Sequence, residues 1–165
     1  MPSGRFGQRP PLDGSPLWRE LDIARPRALE LRWRWKVETA LRASGRERTK
    51  DGDDYSARLL VSFGAGDLGE RAPTLCYVWA AGELVGSRFP NPYRSNVITI
   101  VLQSGDSRIG EWVRERRDLI EDFEAAFGGG RPDAVTGVAV VVDTDDTEGV
   151  AVSWFDDLRL RASPN

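Results

Sequence analysis

The sequence predicts a mainly β protein, an antiparallel β-sandwich with one α-helix. Six segments have the alternation or the β-branched composition of strands, one segment has helical periodicity, and strands do not alternate regularly with helices. The predicted strands span 28–39, 55–63, 74–81, 96–103, 134–143 and 150–160. This order favours two packed antiparallel sheets over a doubly wound parallel sheet.

The clearest strand is "ALELRWRWKVET" (28–39), in which apolar and charged residues alternate almost without fault. Its apolar positions are Leu29, Leu31, Trp33, Trp35 and Val37. Successive side chains of a strand point to opposite faces, so we expect this face, with both tryptophans, to belong to the core. The segment "YSARLLVSF" (55–63) alternates in the same way.

Two further strands are expected to be largely buried. The segments "TLCYVWAA" (74–81) and "NVITIVLQ" (96–103) are rich in apolar and β-branched residues. Between them, 82–95 contains two prolines and two glycines, and we expect irregular structure there.

A single helix is predicted over 110–127. Apolar residues recur there at helical spacing, with charged residues on the other faces. The apolar positions are Trp112, Leu119, Ile120, Phe123 and Phe127. Gly128 is well placed to end the helix, which we expect to pack across an edge or end of the sandwich.

The length of 165 residues indicates one domain. We expect a leader rich in proline and glycine at 1–27 and a single domain at 28–162. The opening residues have no apolar core, so we expect no signal peptide. No apolar stretch approaches the roughly 20 residues that cross a bilayer, so we expect no membrane partner.

Composition excludes several function classes. The chain has no histidine, which excludes Ser-His-Asp and Cys-His catalysis and nearly every familiar zinc or iron site. Cys76 is the single cysteine, so no intrachain disulfide is possible, and its apolar neighbours predict a buried thiol within a strand. Catalysis would have to depend on carboxylates, tyrosine, lysine or arginine.

Charge is unevenly distributed along the chain. Residues 1–50 hold 12 basic and 6 acidic residues, whereas the remainder holds 11 basic and 20 acidic residues. One interpretation is a nucleic-acid-binding arm followed by an acidic body. We favour the alternative, in which the positive charges alternate along the 28–39 strand and face acidic loops of the same domain. We therefore expect no nucleic-acid partner.

An acidic segment, "VVDTDDTEG" (141–149), follows an apolar run. With the residues before it, this segment resembles the nucleophile motif of haloacid-dehalogenase-type phosphotransferases, but the parallel α/β scaffold of those enzymes is not predicted. An EF-hand loop starting at Asp143 would need glycine at Glu148 and glutamate at Trp154. The remaining hypotheses are a structural loop, which we favour, and a Ca²⁺ contact by Asp143 and Asp145. We therefore expect no metal and no cofactor.

Six segments are specific in combination. They are "WRWKVE" (33–38), "RTKDGDDYSARLLVSF" (48–63), "LCYVWA" (75–80), "NPY" (91–93), "WVRERRDLIEDFEAAFG" (112–128) and "GVAVVVDTDDTEGVAVSWFDDLRL" (137–160). In this order they resemble a bacterial family, the domain of unknown function 3047 (DUF3047). The resemblance implies a jelly-roll-like β-sandwich related in shape to carbohydrate-binding modules, a periplasmic or secreted location, and no established activity.

The resemblance also indicates which positions of this sequence belong to the motifs of the family. The shared motif positions are Asp53, Asp54, Tyr55, Arg58, Tyr77, Trp79, Asp143, Asp145 and Thr147. Asp118 and Asp146 depart from the family pattern, in which asparagine is common, and both add negative charge. Family members usually carry a longer opening stretch with strands before the Trp-x-Trp strand. Either the start of this sequence is misplaced, or a shortened form leaves an exposed sheet edge through which oligomers could form.

We therefore predict a non-catalytic module that binds a carbohydrate or another polar ligand. The candidate ligand-binding residues are Asp54, Arg58, Tyr77, Trp79, Tyr93, Arg117, Asp143 and Asp145. One alternative is a glycoside-processing enzyme with two catalytic carboxylates. Its candidate acids are Glu38, Asp54, Asp143 and Asp157. The other alternative is a structural or interaction protein.

Overall fold

The computed structural model describes residues 17–64, 71–143 and 150–163. These residues form nine strands in two sheets, with one α-helix. The elements are β1 (Leu17–Ala24), β2 (Ala28–Thr39), β3 (Tyr55–Phe63), β4 (Thr74–Ala80), β5 (Arg88–Pro90), β6 (Val97–Ser104), β7 (Val113–Asp118), α1 (Leu119–Phe127), β8 (Ala134–Asp143) and β9 (Val152–Ser163). A short 3-10 turn, Lys50–Gly52, lies before β3.

The six-stranded sheet has the strand order β1-β8-β3-β4-β6-β5, and the three-stranded sheet has the order β7-β2-β9. Strand pairing is antiparallel except between β4 and β6, which run parallel. The predicted fold class, a mainly antiparallel two-sheet structure with one helix, is confirmed.

The main core lies between the two sheets. The five apolar positions predicted for β2 are all buried, and they belong to one cluster with the inward residues of β3, β4 and β8. Each large apolar side chain that is fully buried in such a cluster contributes roughly 1.5–3 kcal/mol. The alternation of the 28–39 segment therefore positions the whole three-stranded sheet against the larger one.

A second cluster covers the opposite face of the six-stranded sheet. Cys76, Val78 and Ala80 point to this face, away from the main core. The segment before β3 lies over it, because the Glu47 carboxylate accepts hydrogen bonds from the backbone N–H groups of Ala81 and Gly82 at 2.7 and 2.9 Å. The expectation that β4 is buried on both faces is confirmed.

Strand β1 lies within the segment 1–27 that was predicted to be a leader, so that prediction is wrong for residues 17–24. Residues 17–24 pair with β8 in the six-stranded sheet, although the sequence assigned them to the segment before the domain. Leu17, Leu21 and Ile23 alternate and pack against the main core. The sequence therefore contained the apolar alternation of a strand at 17–24, but the flanking proline- and glycine-rich residues obscured this pattern.

The predicted helix over 110–127 is wrong in its first part. Residues 113–118 form β7, and α1 begins only at Leu119. The Asp118 carboxylate accepts hydrogen bonds from the backbone N–H groups of Ile120 and Glu121 at 3.0 and 3.2 Å, which caps the helix. Gly128 ends the helix with φ of 67°, as predicted. Pairing with β2 outweighs the local helical pattern before Asp118.

The segment 82–95 is also more regular than expected. Its residues 88–90 form β5, which pairs with β6 at the edge of the six-stranded sheet. Pro90 is tolerated in this position because an edge strand leaves backbone N–H groups outside the ladder. No helix in the part of the chain that the structure describes is long and apolar enough to span a membrane.

Candidate functional site

Arg58, Asp53 and Asn91 form a polar cluster on the outer face of the six-stranded sheet. Nη1 of Arg58 and Nδ2 of Asn91 both donate to Oδ2 of Asp53, at 3.3 and 2.8 Å. The Arg58 guanidinium also donates to the Asp53 carbonyl and lies 4.9 Å from the centre of the Tyr55 ring. These bonds join β3 to the loop before it and to the loop after β5, so the cluster holds the fold together.

This arrangement corrects the ligand-binding role predicted for Asp54 and Arg58. Arg58 forms an ion pair with Asp53, and the Arg58 side chain is only 11% exposed. Asp54 is 2% exposed, so its carboxylate is closed to a ligand in this structure. Arg58 instead forms a largely buried ion pair with Asp53, the residue before Asp54, and this pair ties β3 to the loop before it.

Tyr93 is the predicted ligand residue with the greatest exposure among those the structure describes, at 52%. Its hydroxyl donates to the backbone carbonyl of Lys50 at 3.0 Å, and Nζ of Lys50 lies 5.4 Å from the ring centre. The Asn91 side-chain carbonyl accepts from the Tyr93 backbone N–H at 3.0 Å. Tyr93 is therefore a fixed and accessible aromatic residue beside the six-stranded sheet.

Tyr77 and Arg117 converge on one buried carboxylate, that of Asp122. The Tyr77 hydroxyl donates to Oδ2 at 2.6 Å, and Arg117 donates from Nε to the same oxygen at 2.7 Å. Burial, followed by the charge of Asp122, raises the pKa of Tyr77 well above its usual value. Because Tyr77 is wholly buried, this corrects its predicted ligand contact, and both residues instead join β4, β7 and α1.

Trp79 also belongs to the core. Four rings form a continuous column between the sheets, with centroid distances of 5.5 Å for Tyr77–Trp33, 5.6 Å for Trp33–Trp35 and 6.0 Å for Trp35–Trp79. Nε1 of Trp79 donates to the Gly105 carbonyl at 3.0 Å. A ring with no solvent exposure cannot stack on a sugar, so the predicted ligand role of Trp79 is corrected.

Glu115 is a half-buried carboxylate that the sequence did not single out. One of its oxygens accepts from Nε2 of Gln103 at 2.8 Å and from Nε1 of Trp35 at 3.2 Å. Burial raises the pKa of Glu115, and the hydrogen bonds from Gln103 and Trp35 oppose that shift. Sequence analysis did not predict a role for Glu115 because residues 110–127 were predicted as a helix. Only in strand β7 does the Glu115 side chain point towards the core.

Of the four predicted glycosidase acids, Glu38 and Asp157 lie too far apart to form a catalytic pair. Glu38 lies near the end of β2, whereas Asp157 lies beside Trp33, about 16 Å away at roughly 3.3 Å per residue. Retaining and inverting enzymes need carboxyl groups roughly 5–9.5 Å apart. Asp54 precedes Tyr55, the register partner of Asp143, so these two acids are close along the ladder. Asp54, however, is buried.

The acidic loop lies mostly outside the described residues. Asp143 is the last residue of β8, whereas Asp145, Asp146 and Thr147 fall within 144–149, which the structure does not describe. Strands β8 and β9, which flank this loop, belong to different sheets. Among the described residues, no three His, Cys, Asp or Glu side chains group as a metal site requires. The structural role and the absence of metal stay predictions.

The outer face of the three-stranded sheet combines exposed tryptophan with cations. Trp112 directly precedes Val113, the register partner of Trp35, so it falls beside Lys36. Cζ of Arg34 lies 4.7 Å and Nζ of Lys36 lies 5.5 Å from the centre of the Trp112 ring. Trp112, predicted as a helix position, is 41% exposed.

A second tryptophan borders the same cations. Trp154 is the register partner of Lys36 on β9, and Nζ of Lys36 lies 5.9 Å from its ring centre. Lys36 is thus flanked by Trp112 on one side and Trp154 on the other. We call these two rings, with Arg34 and Lys36, the tryptophan face.

Arginines continue from the tryptophan face along the sheet. Arg32 is the register partner of both Arg116 on β7 and Arg159 on β9, and Arg34 is the register partner of Arg114. Like charges directly opposite each other destabilise a sheet by roughly 0.2–1 kcal/mol per pair. Glu30, which contacts Arg32 and Arg116, and Asp156, which contacts Arg34, offset part of this repulsion. These basic residues therefore contact acidic residues of strands β2 and β9, where the sequence led us to expect acidic loops.

Comparison with known proteins identifies a family and little more. A search of curated proteins found no match. The family model described as "Protein of unknown function (DUF3047)" matches residues 12–159, which is most of the chain and includes β1. The chain therefore belongs to the DUF3047 family.

Proposed function

We propose that this protein is a non-catalytic module that binds a carbohydrate on the outer face of its three-stranded sheet. The observation that carries the proposal is Trp112, which is 41% exposed and lies beside Arg34 and Lys36, with Trp154 across Lys36 on the same face. The proposal agrees with the family resemblance, which implies a fold related in shape to carbohydrate-binding modules. It moves the ligand contacts away from the residues first expected to make them.

The chemistry of sugars favours such a surface. A pyranose ring presents apolar C–H faces that pack on flat aromatic rings, and its hydroxyl groups seek charged or planar polar partners. Trp112 and Trp154 supply the rings, while Arg34, Lys36 and Asp156 supply the polar groups. Arg34 is held in place because its Nε donates to Oδ2 of Asp156 at 3.0 Å.

Tyr93 provides the matched comparison. Tyr93 is an exposed aromatic residue that the sequence predicted to bind a ligand, whereas Trp112 was not, and Tyr93 lies in the loop after β5 of the six-stranded sheet. The two surfaces can therefore be distinguished by removing one ring at a time. Neither ring belongs to the main core, so both variants should fold.

The experiment is a glycan and polysaccharide binding screen of wild type, Trp112→Ala and Tyr93→Ala. We expect retention of the wild type without release of reducing ends, at least tenfold weaker binding of Trp112→Ala, and unchanged binding of Tyr93→Ala. Circular dichroism and thermal melting check the fold of each variant. Full binding by Trp112→Ala, or no retention of wild type on any glycan, would overturn the proposal.

Two other results would favour the alternative functions. Release of reducing ends would indicate the carboxylate enzyme. Absence of glycan binding together with a concentration-dependent size on gel filtration would indicate an interaction protein that assembles through a sheet edge, such as that of β1 or β5.

A further inference from the structure

We infer that the ligand of the tryptophan face is a polyuronate, an acidic polysaccharide with carboxylates on its sugar rings. This inference rests on the proposed carbohydrate-binding function. The tryptophan face continues into an arginine surface formed by β7, β2 and β9. An extended polymer that stacks on Trp112 would run onto these arginines.

The arginines form rows across the sheet. Arg116, Arg32 and Arg159 occupy one row, and Arg114 and Arg34 occupy the next. Side chains directly opposite in a sheet have Cβ atoms about 4.5–5.5 Å apart, and rows on one face are about 7 Å apart along a strand. Guanidinium groups bind carboxylates through two parallel N–H bonds. The rows therefore offer repeated positions for carboxylates along one chain.

The charge of this face contrasts with that of the whole protein. The outward charged residues of the three strands are Arg32, Arg34, Lys36, Arg114, Arg116, Arg159 and Arg161, against Glu30, Glu38, Asp118, Asp156 and Asp157. The complete chain carries a formal net charge of −3. Arginines directly opposite one another repel, although Arg32 and Arg116 contact Glu30, Arg34 contacts Asp156 and Arg159 contacts Asp157. A bound polyanion would relieve the repulsion that these carboxylates leave.

The acidic residues on the face favour a sugar polymer over a nucleic acid. Duplex DNA carries one negative charge per about 1.7 Å of its axis, and domains that bind it are strongly basic. This chain has a pI near 5.1, and Glu30 and Asp156 lie among its arginines. Those carboxylates repel any anion, so they disfavour densely charged DNA more than a polymer with one carboxylate per sugar ring, and they can accept hydrogen bonds from the sugar hydroxyl groups. We therefore assign the polyuronate and treat nucleic acid as an outcome of the test.

The experiment compares polygalacturonate with the same polymer after full methyl esterification, which removes the charge and keeps the sugar. Dextran, dextran sulfate and single-stranded DNA complete the panel. The proteins are wild type, Trp112→Ala, the double variant Arg114→Gln/Arg116→Gln, and Arg88→Gln on β5 as an exposed control. Binding is measured by calorimetry at two salt concentrations.

We expect wild type to bind polygalacturonate at least tenfold more tightly than its methyl ester, with affinity that falls as salt rises. The double variant should lose most of this preference and its salt dependence, and Arg88→Gln should keep both. The melting temperature of the double variant Arg114→Gln/Arg116→Gln should equal or exceed that of wild type, because the substitutions remove like-charge pairs.

Other outcomes separate the two proposals. Equal binding of the ester and the acid would overturn the polyuronate inference and leave the carbohydrate function intact. Preference for DNA, or binding of dextran sulfate without polygalacturonate, would also overturn it. If no sugar polymer binds, the carbohydrate function itself fails.

Discussion

The Tyr77 hydroxyl donates a hydrogen bond of 2.6 Å to Oδ2 of Asp122, and this bond joins the middle of β4 to the first turn of α1. Arg117, near the end of β7, binds the same carboxylate through two N–H groups. The three side chains therefore connect the six-stranded sheet, the helix and the three-stranded sheet. Stability should depend on the shared carboxylate more than on either donor.

Replacing Tyr77 by Phe should cost about 1 kcal/mol of unfolding free energy, because it removes one buried hydrogen bond and leaves Asp122 paired with Arg117. Replacing Asp122 by Ala should cost about 3 kcal/mol, since the Tyr77 hydroxyl and the Arg117 guanidinium both lose their partner. Chemical denaturation measures both values. A smaller loss for Asp122→Ala than for Tyr77→Phe would contradict this account.

The thiol of Cys76 should be inert in the folded protein. Burial raises its pKa to about 12, so almost no thiolate exists at neutral pH. We expect a disulfide reagent such as DTNB to label native protein very slowly and denatured protein at once. Cys76→Ser serves as the blank. Rapid labelling of one thiol in native protein would show that the outer cluster opens.

Glu115→Gln should stabilise the protein increasingly as pH rises. Burial raises the folded-state pKa of Glu115 above its ordinary value of 4.5, so the folded state binds this proton more tightly than the unfolded state. Its contribution to stability is therefore greatest below pH 4.5 and is lost as pH rises through the raised value. Glutamine keeps an acceptor for Trp35 and Gln103 and does not titrate.

The measurement is urea unfolding of wild type and Glu115→Gln between pH 4.5 and 8. We expect the free-energy difference between them to increase with pH. Glu111→Gln, at an exposed position, is the control and should change stability little. A difference that shrinks with rising pH would show that the charged form of Glu115 is favoured.

Gly137→Ala should displace β1 from the sheet. A Cβ atom at this glycine would lie 1.9 Å from Cζ2 of Trp18, whose ring packs over it from β1. We expect a loss of about 1–3 kcal/mol, as for other overpacked sites. In a Trp18→Ala background the same substitution should cost much less. Additive losses in this double-mutant cycle would mean that the contact is not formed.

Asp143→Asn tests the acidic loop. We predict a structural loop, so the melting temperatures of wild type and variant should respond equally to Ca²⁺ and to EDTA. A hard cation would need six to eight oxygen ligands, and no third carboxylate lies at a recognised ligand spacing in this segment. A rise of several degrees with Ca²⁺ that Asp143→Asn abolishes would establish a metal site and end the structural interpretation.

The sequence by itself determined the two-sheet class, the buried face of β2 and the position of Cys76. These features follow from local alternation, because side chains two residues apart share a face of a strand wherever that strand is placed. The helix end at Gly128 is equally local, since a left-handed residue there favours glycine. Such properties require no knowledge of neighbouring strands.

Only the tertiary structure decided which polar and aromatic residues are available to a ligand. Tyr77 and Trp79 are buried because β2 places Trp33 and Trp35 against them, and residues 113–118 are a strand because β2 offers a ladder there. The opposed arginines likewise arise from the register of three strands far apart in sequence. Pairing register couples distant residues, and a single sequence carries no local signal for it.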